Sequence, residues 1–328
     1  MSVFSLSRRV LIASLIATPA YARPRHQGRP PAKRISVTVA VDRRGHVTPL
    51  WLDLIRDRID ANELAGVRMN ARALSNDEAQ WIKLIRQVAP DWVKDAGRLD
   101  LPFRQVRPPA TVQVVVANQG GDDAFSGPPD FIAFDLSALV NAYGALDAPG
   151  RAALMHRLLS HEYTHLLINP YLAGLGWTPD WAARDPFLAA VRVLYNEGIA
   201  NMRSVEGDRR WTNEDGSLTD LARDTLAQLQ PVMIERLKGL SAHPSPAQAR
   251  DLMRNISQGP FARKWGAIPI ALWLAADTVF DPERIAAWVE ARPDGILDLA
   301  AGLADRKYQR AFADLRAKVA ERVAAQRA

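Results

Sequence analysis

Residues 158–169, LLSHEYTHLLIN, constrain this chain more than any other stretch. His161 and His165 stand four apart inside an apolar run. On a helix, that spacing puts both imidazoles on one face, where they can share a metal ion. Glu162 lies one step round, within reach of a water on such an ion. Burying two imidazoles and a carboxylate without a compensating partner is costly. The helix must therefore bind a metal or keep its histidines partly exposed on an amphipathic surface. Two neutral imidazoles suit Zn²⁺, and a catalytic zinc takes a third protein ligand and a water.

The chain contains no cysteine, so the third ligand is His, Asp or Glu, and no disulfide contributes to stability. Asp180, Asp185 and Glu197 are the downstream carboxylates to consider; Asp185, followed by Pro186, reads as a helix cap.

The N-terminus reads as an export address. Arg8 and Arg9 precede a short apolar run, and Ala20-Tyr21-Ala22 forms an A-x-A cleavage site. Residues 1–22 are expected to be a signal peptide, and Ser7-Arg8-Arg9-Val10-Leu11 is similar to a twin-arginine signal. Residues 23–34 form a basic, Pro-rich tail expected to be a flexible lead-in, able to make weak contact with the cell envelope. The formal charge of +6 comes from these segments. Arg8, Arg9, Arg23, Arg25, Arg29, Lys33 and Arg34 are seven of 42 basic residues, which leaves 35 against 36 acidic ones. A near-neutral body excludes a nucleic-acid groove. The apolar runs are too short to span a membrane. The expected location is periplasmic or secreted.

The pattern along the chain predicts an α+β fold, with a small N-terminal mixed sheet and a mainly helical C-terminal part. Residues 35–41 and 111–117 read as strands, 118–130 as a loop, and 131–134 as a further strand. The pair Asp122-Asp123 lacks calcium-loop spacing and reads as a solvated turn. Ser75 with Glu78 is a capping box that opens a helix to about Val88; Pro90 is expected to break it, leaving one more turn at 92–96. Residues 50–59 and 136–143 also read as helices. The metal helix is expected over 150–168, stopping before Pro170, with a loop at 171–185 and a second helix to about Ser204. Beyond Trp211, helices are expected at 217–237, 246–256, 261–280, 282–291 and 306–325. These elements divide the chain into an α/β part (35–148), a two-helix zinc part (149–205) and a helical part (206–328).

HEYTH followed by Asn196-Glu197-Gly198-Ile199-Ala200 resembles the gluzincin metallopeptidases. It is most similar to the NEGxA version of the aminopeptidase-N type and to bacterial predicted zinc proteases, over residues 150–204. A metzincin would place glycine and histidine where this chain has Ile168 and Tyr171. The resemblance implies a zincin-like fold and Glu197 as third ligand, the one Glu between Glu162 and Glu206. Gly198 beside it suits close packing on the metal helix. The 31-residue gap (166–196) is longer than the near-twenty of thermolysin-like and aminopeptidase-N-type enzymes, and the Gly-x-Met-Glu-Asn motif of the latter is absent. Thermolysin-like enzymes carry an Asp one turn after the Glu; Asn201 stands there, and its amide oxygen is expected to accept from a zinc-bound imidazole.

The resulting expectation is an exported zinc-dependent peptidase acting on a peptide or protein. Zn²⁺ on His161, His165 and Glu197 lowers the pKa of a water, and Glu162 transfers its proton to the leaving amine. No oxyanion donor stands out: Tyr163, His156 and Tyr195 are turned away from the ligands, and His243, Tyr308 and Arg263 remain as candidates. The substrate strand would lie beside 111–117 or 131–134. Trp177, Trp181 and Trp265 line a cleft or belong to the core. The alternative is a non-catalytic, zinc-stabilised binding module of the envelope; a third reading is hydrolysis of another amide, such as a cell-wall peptide.

Overall fold

A computed structural model describes residues 33–59, 61–119, 123–144 and 148–327. The leader (1–22), tail residues 23–32 and Asp122 lie outside the described residues. The chain is mixed α/β, with fourteen α-helices among the described residues.

Four strands form one sheet: β1 (Arg34–Val39), β2 (Thr111–Ala117), β3 (Ala124–Gly127) and β4 (Phe131–Asp135). Their order is β1-β2-β4-β3. β1, β2 and β4 are parallel, and β3 runs antiparallel at the edge. β2 and β4 are central, so neither is the free edge expected for one of them. The edges are β1 and β3, and β3 lies inside the stretch that reads as a loop because Gly and Pro surround only four strand residues. Alternate residues of β2 enter two cores, as the two-residue period of a strand requires. Val112, Val114 and Val116 face the main core; Val115 and Ala117 face a smaller one with Trp51, Ile55 and Phe125.

Four helices link β1 to β2: α1 (Pro49–Ile55), α2 (Ala61–Met69), α3 (Asn76–Asp95) and α4 (Gly97–Asp100). The Ser75–Glu78 capping box opens α3. After β4 come α5 (Leu136–Tyr143), α6 (Ala148–Gly174), α7 (Pro179–Ala182) and α8 (Pro186–Val205). The rest is α9 (Asp220–Ser241), α10 (Pro246–Met253), a 3₁₀ turn at Phe261–Arg263, α11 (Ala267–Thr278), α12 (Pro282–Glu290), α13 (Arg292–Leu303) and α14 (Arg306–Arg327).

Two prolines expected to end helices do not. α3 runs through Pro90 and α6 through Pro170. A mid-helix proline costs about 3 kcal/mol. Tyr171 and Leu172, just beyond Pro170, are buried. At about 2 kcal/mol each, their burial exceeds that cost.

α8 lies between α6 and α11. α11 is buried from Ala267 to Ala275, which makes it the centre of the helical half. Gly198 is needed here: a Cβ on it would stand 2.3 Å from Ile270 Cγ2. The close approach it permits is therefore to α11, not to the metal helix as expected. No helix among the described residues is long and apolar enough to cross a membrane.

Lys33 and Arg34 belong with the fold rather than with the tail. Arg34 starts β1 opposite Thr111. The Lys33 ammonium lies 2.8 Å from Asp100 and also bonds the Tyr163 hydroxyl, on the back of α6. Tyr163 donates to Asp100 at 2.6 Å.

Candidate metal centre

His161 and His165 project from one face of α6, one turn apart, with their Nε2 atoms 3.1 Å from each other. Glu197 comes from the facing α8. Its Oε1 is 3.6 Å from His165 Nε2 and its Oε2 is 3.9 Å from His161 Nε2. Ligand atoms about 2.0–2.1 Å from a tetrahedral ion stand roughly 3.3 Å apart. The three observed separations bracket that spacing. Among the described residues, this is the one group of His, Asp and Glu side chains gathered closely enough to hold a metal ion.

The ring nitrogens support the same reading. His165 Nδ1 meets Asn196 Oδ1 at 3.0 Å. His161 Nδ1 lies 3.2 Å from the Ser204 hydroxyl. An amide oxygen only accepts, so His165 Nδ1 carries hydrogen and its Nε2 presents a lone pair; the Ser204 hydroxyl turns to suit either tautomer of His161. Burial pushes the His161 pKa well down, and the charges of His165 and Lys264 add to this. A proton on the His161 ring is thus disfavoured, and the facing Nε2 atoms, 3.1 Å apart, suit a shared cation.

Glu162 lies behind the cluster, with Oε1 3.9 Å from His161 Nε2. Ser126 on β3 donates to its Oε2 at 2.9 Å. Burial pushes the Glu162 carboxyl up to about 7; His165 and the Ser126 hydrogen bond oppose this, and Glu197 and Asp123 add to it. A bound cation acts in the lowering direction.

Asn201 does not hold an imidazole. Its amide nitrogen reaches back one turn along α8, to the Glu197 carbonyl at 2.8 Å and to Glu197 Oε2 at 3.3 Å. Side chains on a helix lean toward its N-terminus, which favours this return. Asn201 therefore steadies the carboxylate, and the imidazoles are backed by Asn196 and Ser204. Asn196 was legible as the neighbour of Glu197, but the carried-over pattern pointed to the later position. Ser126 gave no signal, because its strand reads as a loop.

The other candidates are engaged elsewhere. Asp185 caps α8 and pairs with Arg322 at 2.8 Å; Asp180 is exposed. Tyr195 donates to the Val289 carbonyl, and His156 is partly buried near Asp95 and Arg98. His243 bonds Arg322, the Tyr308 ring lies under Lys307, and Arg263 is exposed in the 3₁₀ turn. The next residue, Lys264, lies near enough for its charge to lower the His161 pKa. Trp177 and Trp265 are core residues, and Trp181 packs on Trp177.

No protein-family profile, curated protein or solved structure matches this chain.

Proposed function

We propose that this protein is a zinc-dependent peptidase of the gluzincin type, with a zincin-like core and export through residues 1–22. The observation that carries the proposal is the meeting of three candidate ligand atoms from two facing helices with a second carboxylate, Glu162, beside them. His161, His165 and Glu197 would hold the zinc. Bound there, zinc supplies a water of lowered pKa and polarises a carbonyl.

The chain's own groups do the rest. Glu162 takes a proton from the attacking water and returns it to the leaving amine. Ser126 fixes the Glu162 carboxylate, and Asn201 fixes that of Glu197. β3, at the edge of the sheet and bonded to Glu162 through Ser126, offers backbone groups along which an extended peptide substrate can pair.

The test is Glu162→Gln. It should retain about one zinc per chain and lose peptide hydrolysis by roughly 10²–10⁴-fold. Hydrolysis at wild-type rate in that variant would remove the mechanism. A second reading, a zinc-stabilised binding module of the envelope, draws support from burial: Glu162 is 5% exposed and His165 9%. It predicts zinc-dependent stability with no turnover of any peptide by the wild-type protein.

A further inference from the structure

The two imidazoles are held from behind by unlike partners. His161 Nδ1 lies 3.2 Å from the Ser204 hydroxyl, which turns to donate or to accept. His165 is backed by the Asn196 side-chain amide, which presents oxygen in one orientation and nitrogen in the other. In the reversed orientation the NH₂ group would meet Nδ1. The hydrogen of His165 would then move to Nε2, leaving no lone pair for a metal.

What fixes the Asn196 amide lies further back. Arg192 Nε donates to the Trp177 carbonyl at 3.0 Å, and its Nη2 donates to Asn169 Oδ1 at 3.4 Å. A guanidinium has donors only and stays charged. Asn169 must therefore turn its oxygen toward Arg192. That oxygen also accepts from Asn196 Nδ2 at 3.2 Å. Asn196 thus commits its nitrogen to Asn169 and its oxygen to His165. The four residues form a rectangle across the seam: His165 and Asn169 are one turn apart on α6, and Arg192 and Asn196 one turn apart on α8. The corner at Asn169 exists because α6 continues through Pro170.

We propose that Arg192 and Asn169 are positioning residues that set the tautomer of His165, through the orientation of the Asn196 amide, so that Nε2 faces the metal. The inference rests on His165 being a metal ligand. Its signature is present before any metal binds.

The experiment is long-range ¹H–¹⁵N spectroscopy of the histidine rings in metal-free protein, above about pH 8, where an imidazole is neutral. Wild-type His165 should carry its hydrogen on Nδ1. Asn169→Leu, folded by circular dichroism, should shift hydrogen to Nε2 and lower zinc affinity by roughly ten- to a hundredfold in chelator competition. Asn169→Asp, which keeps an acceptor, should retain the wild-type tautomer. In an Asn196→Asp background either carboxylate oxygen accepts, so Asn169→Leu should leave the tautomer unchanged. If Asn169→Leu does not fold, Arg192→Met reads the same loss. A folded Asn169→Leu that keeps hydrogen on Nδ1, or that shifts it equally in the Asn196→Asp background, overturns the relay. Wild-type protein with hydrogen on Nδ1 and no affinity for zinc supports the relay and overturns the peptidase reading.

Discussion

The two sides of α8 do different work. Toward α11 it is apolar and close, with Gly198 against Ile270 and no room for a single added carbon. Toward α6 it is polar: Arg192, Asn196, Glu197 and Ser204 meet Asn169, His165 and His161. The apolar side fixes where the helix stands, and the polar side uses that position. Ligand geometry at the level of a few tenths of an ångström is thus inherited from packing that touches no ligand. The contrast predicts that changes on the α11 side cost stability, whereas changes on the α6 side cost metal affinity or rate.

The largest effect expected on that contrast is at Gly198. Gly198→Val should destabilise the protein by about 3 kcal/mol in denaturant titration, because a packed interface cannot take the added carbons. Combining it with Ile270→Ala should recover part of the loss; equal loss in both would show that the site of the clash is wrong. Glu197→Gln should abolish stoichiometric zinc binding, measured by metal analysis after dialysis. The stability of the metal-free protein should change by no more than about 0.5 kcal/mol, as for a partly exposed side chain outside the core. Unfolding of that variant would mean that the polar seam also holds the fold. Asn201→Leu should weaken zinc about tenfold by removing one hydrogen bond behind the carboxylate, with the kcat of the loaded protein little changed. The smallest effect is Ser126→Ala: a few-fold lower kcat with KM unchanged, read in steady-state kinetics under the hypothesis that Glu162 moves the proton. A raised KM with constant kcat would assign Ser126 to substrate binding instead.

The three side chains that meet, His161, His165 and Glu197, were each legible in the sequence. Two histidines four apart in an apolar run point to one helix face, and Glu197 entered through the resemblance to the gluzincin pattern, as the one Glu between Glu162 and Glu206. What backs the ligands was less legible. Asn196 and Asn201 are the same residue type, five apart on one helix, and only the rotation of α8 about its axis decides which meets an imidazole. That rotation depends on packing against residues distant in sequence, among them Ile270 beside Gly198. β3 was hidden because its four residues pair with β4 across a tight turn, a tertiary gain that local propensity does not register. Pro90 and Pro170 misled for a related reason: a proline's local cost is visible in sequence, and the burial of Trp92 or Tyr171 beyond it is not.

Lys33 bears on how this chain is handled as an object. Its ammonium joins the start of the sheet to the back of the ligand helix, through Asp100 and Tyr163. Tyr163 lies between the two histidines in sequence, so the joint is fastened to the span that carries them. The chain at residue 33 is therefore tied to the metal helix as well as to the strand ladder. Truncation to residue 33 keeps that joint, whereas truncation to residue 35 removes the joint and the first strand pairing together.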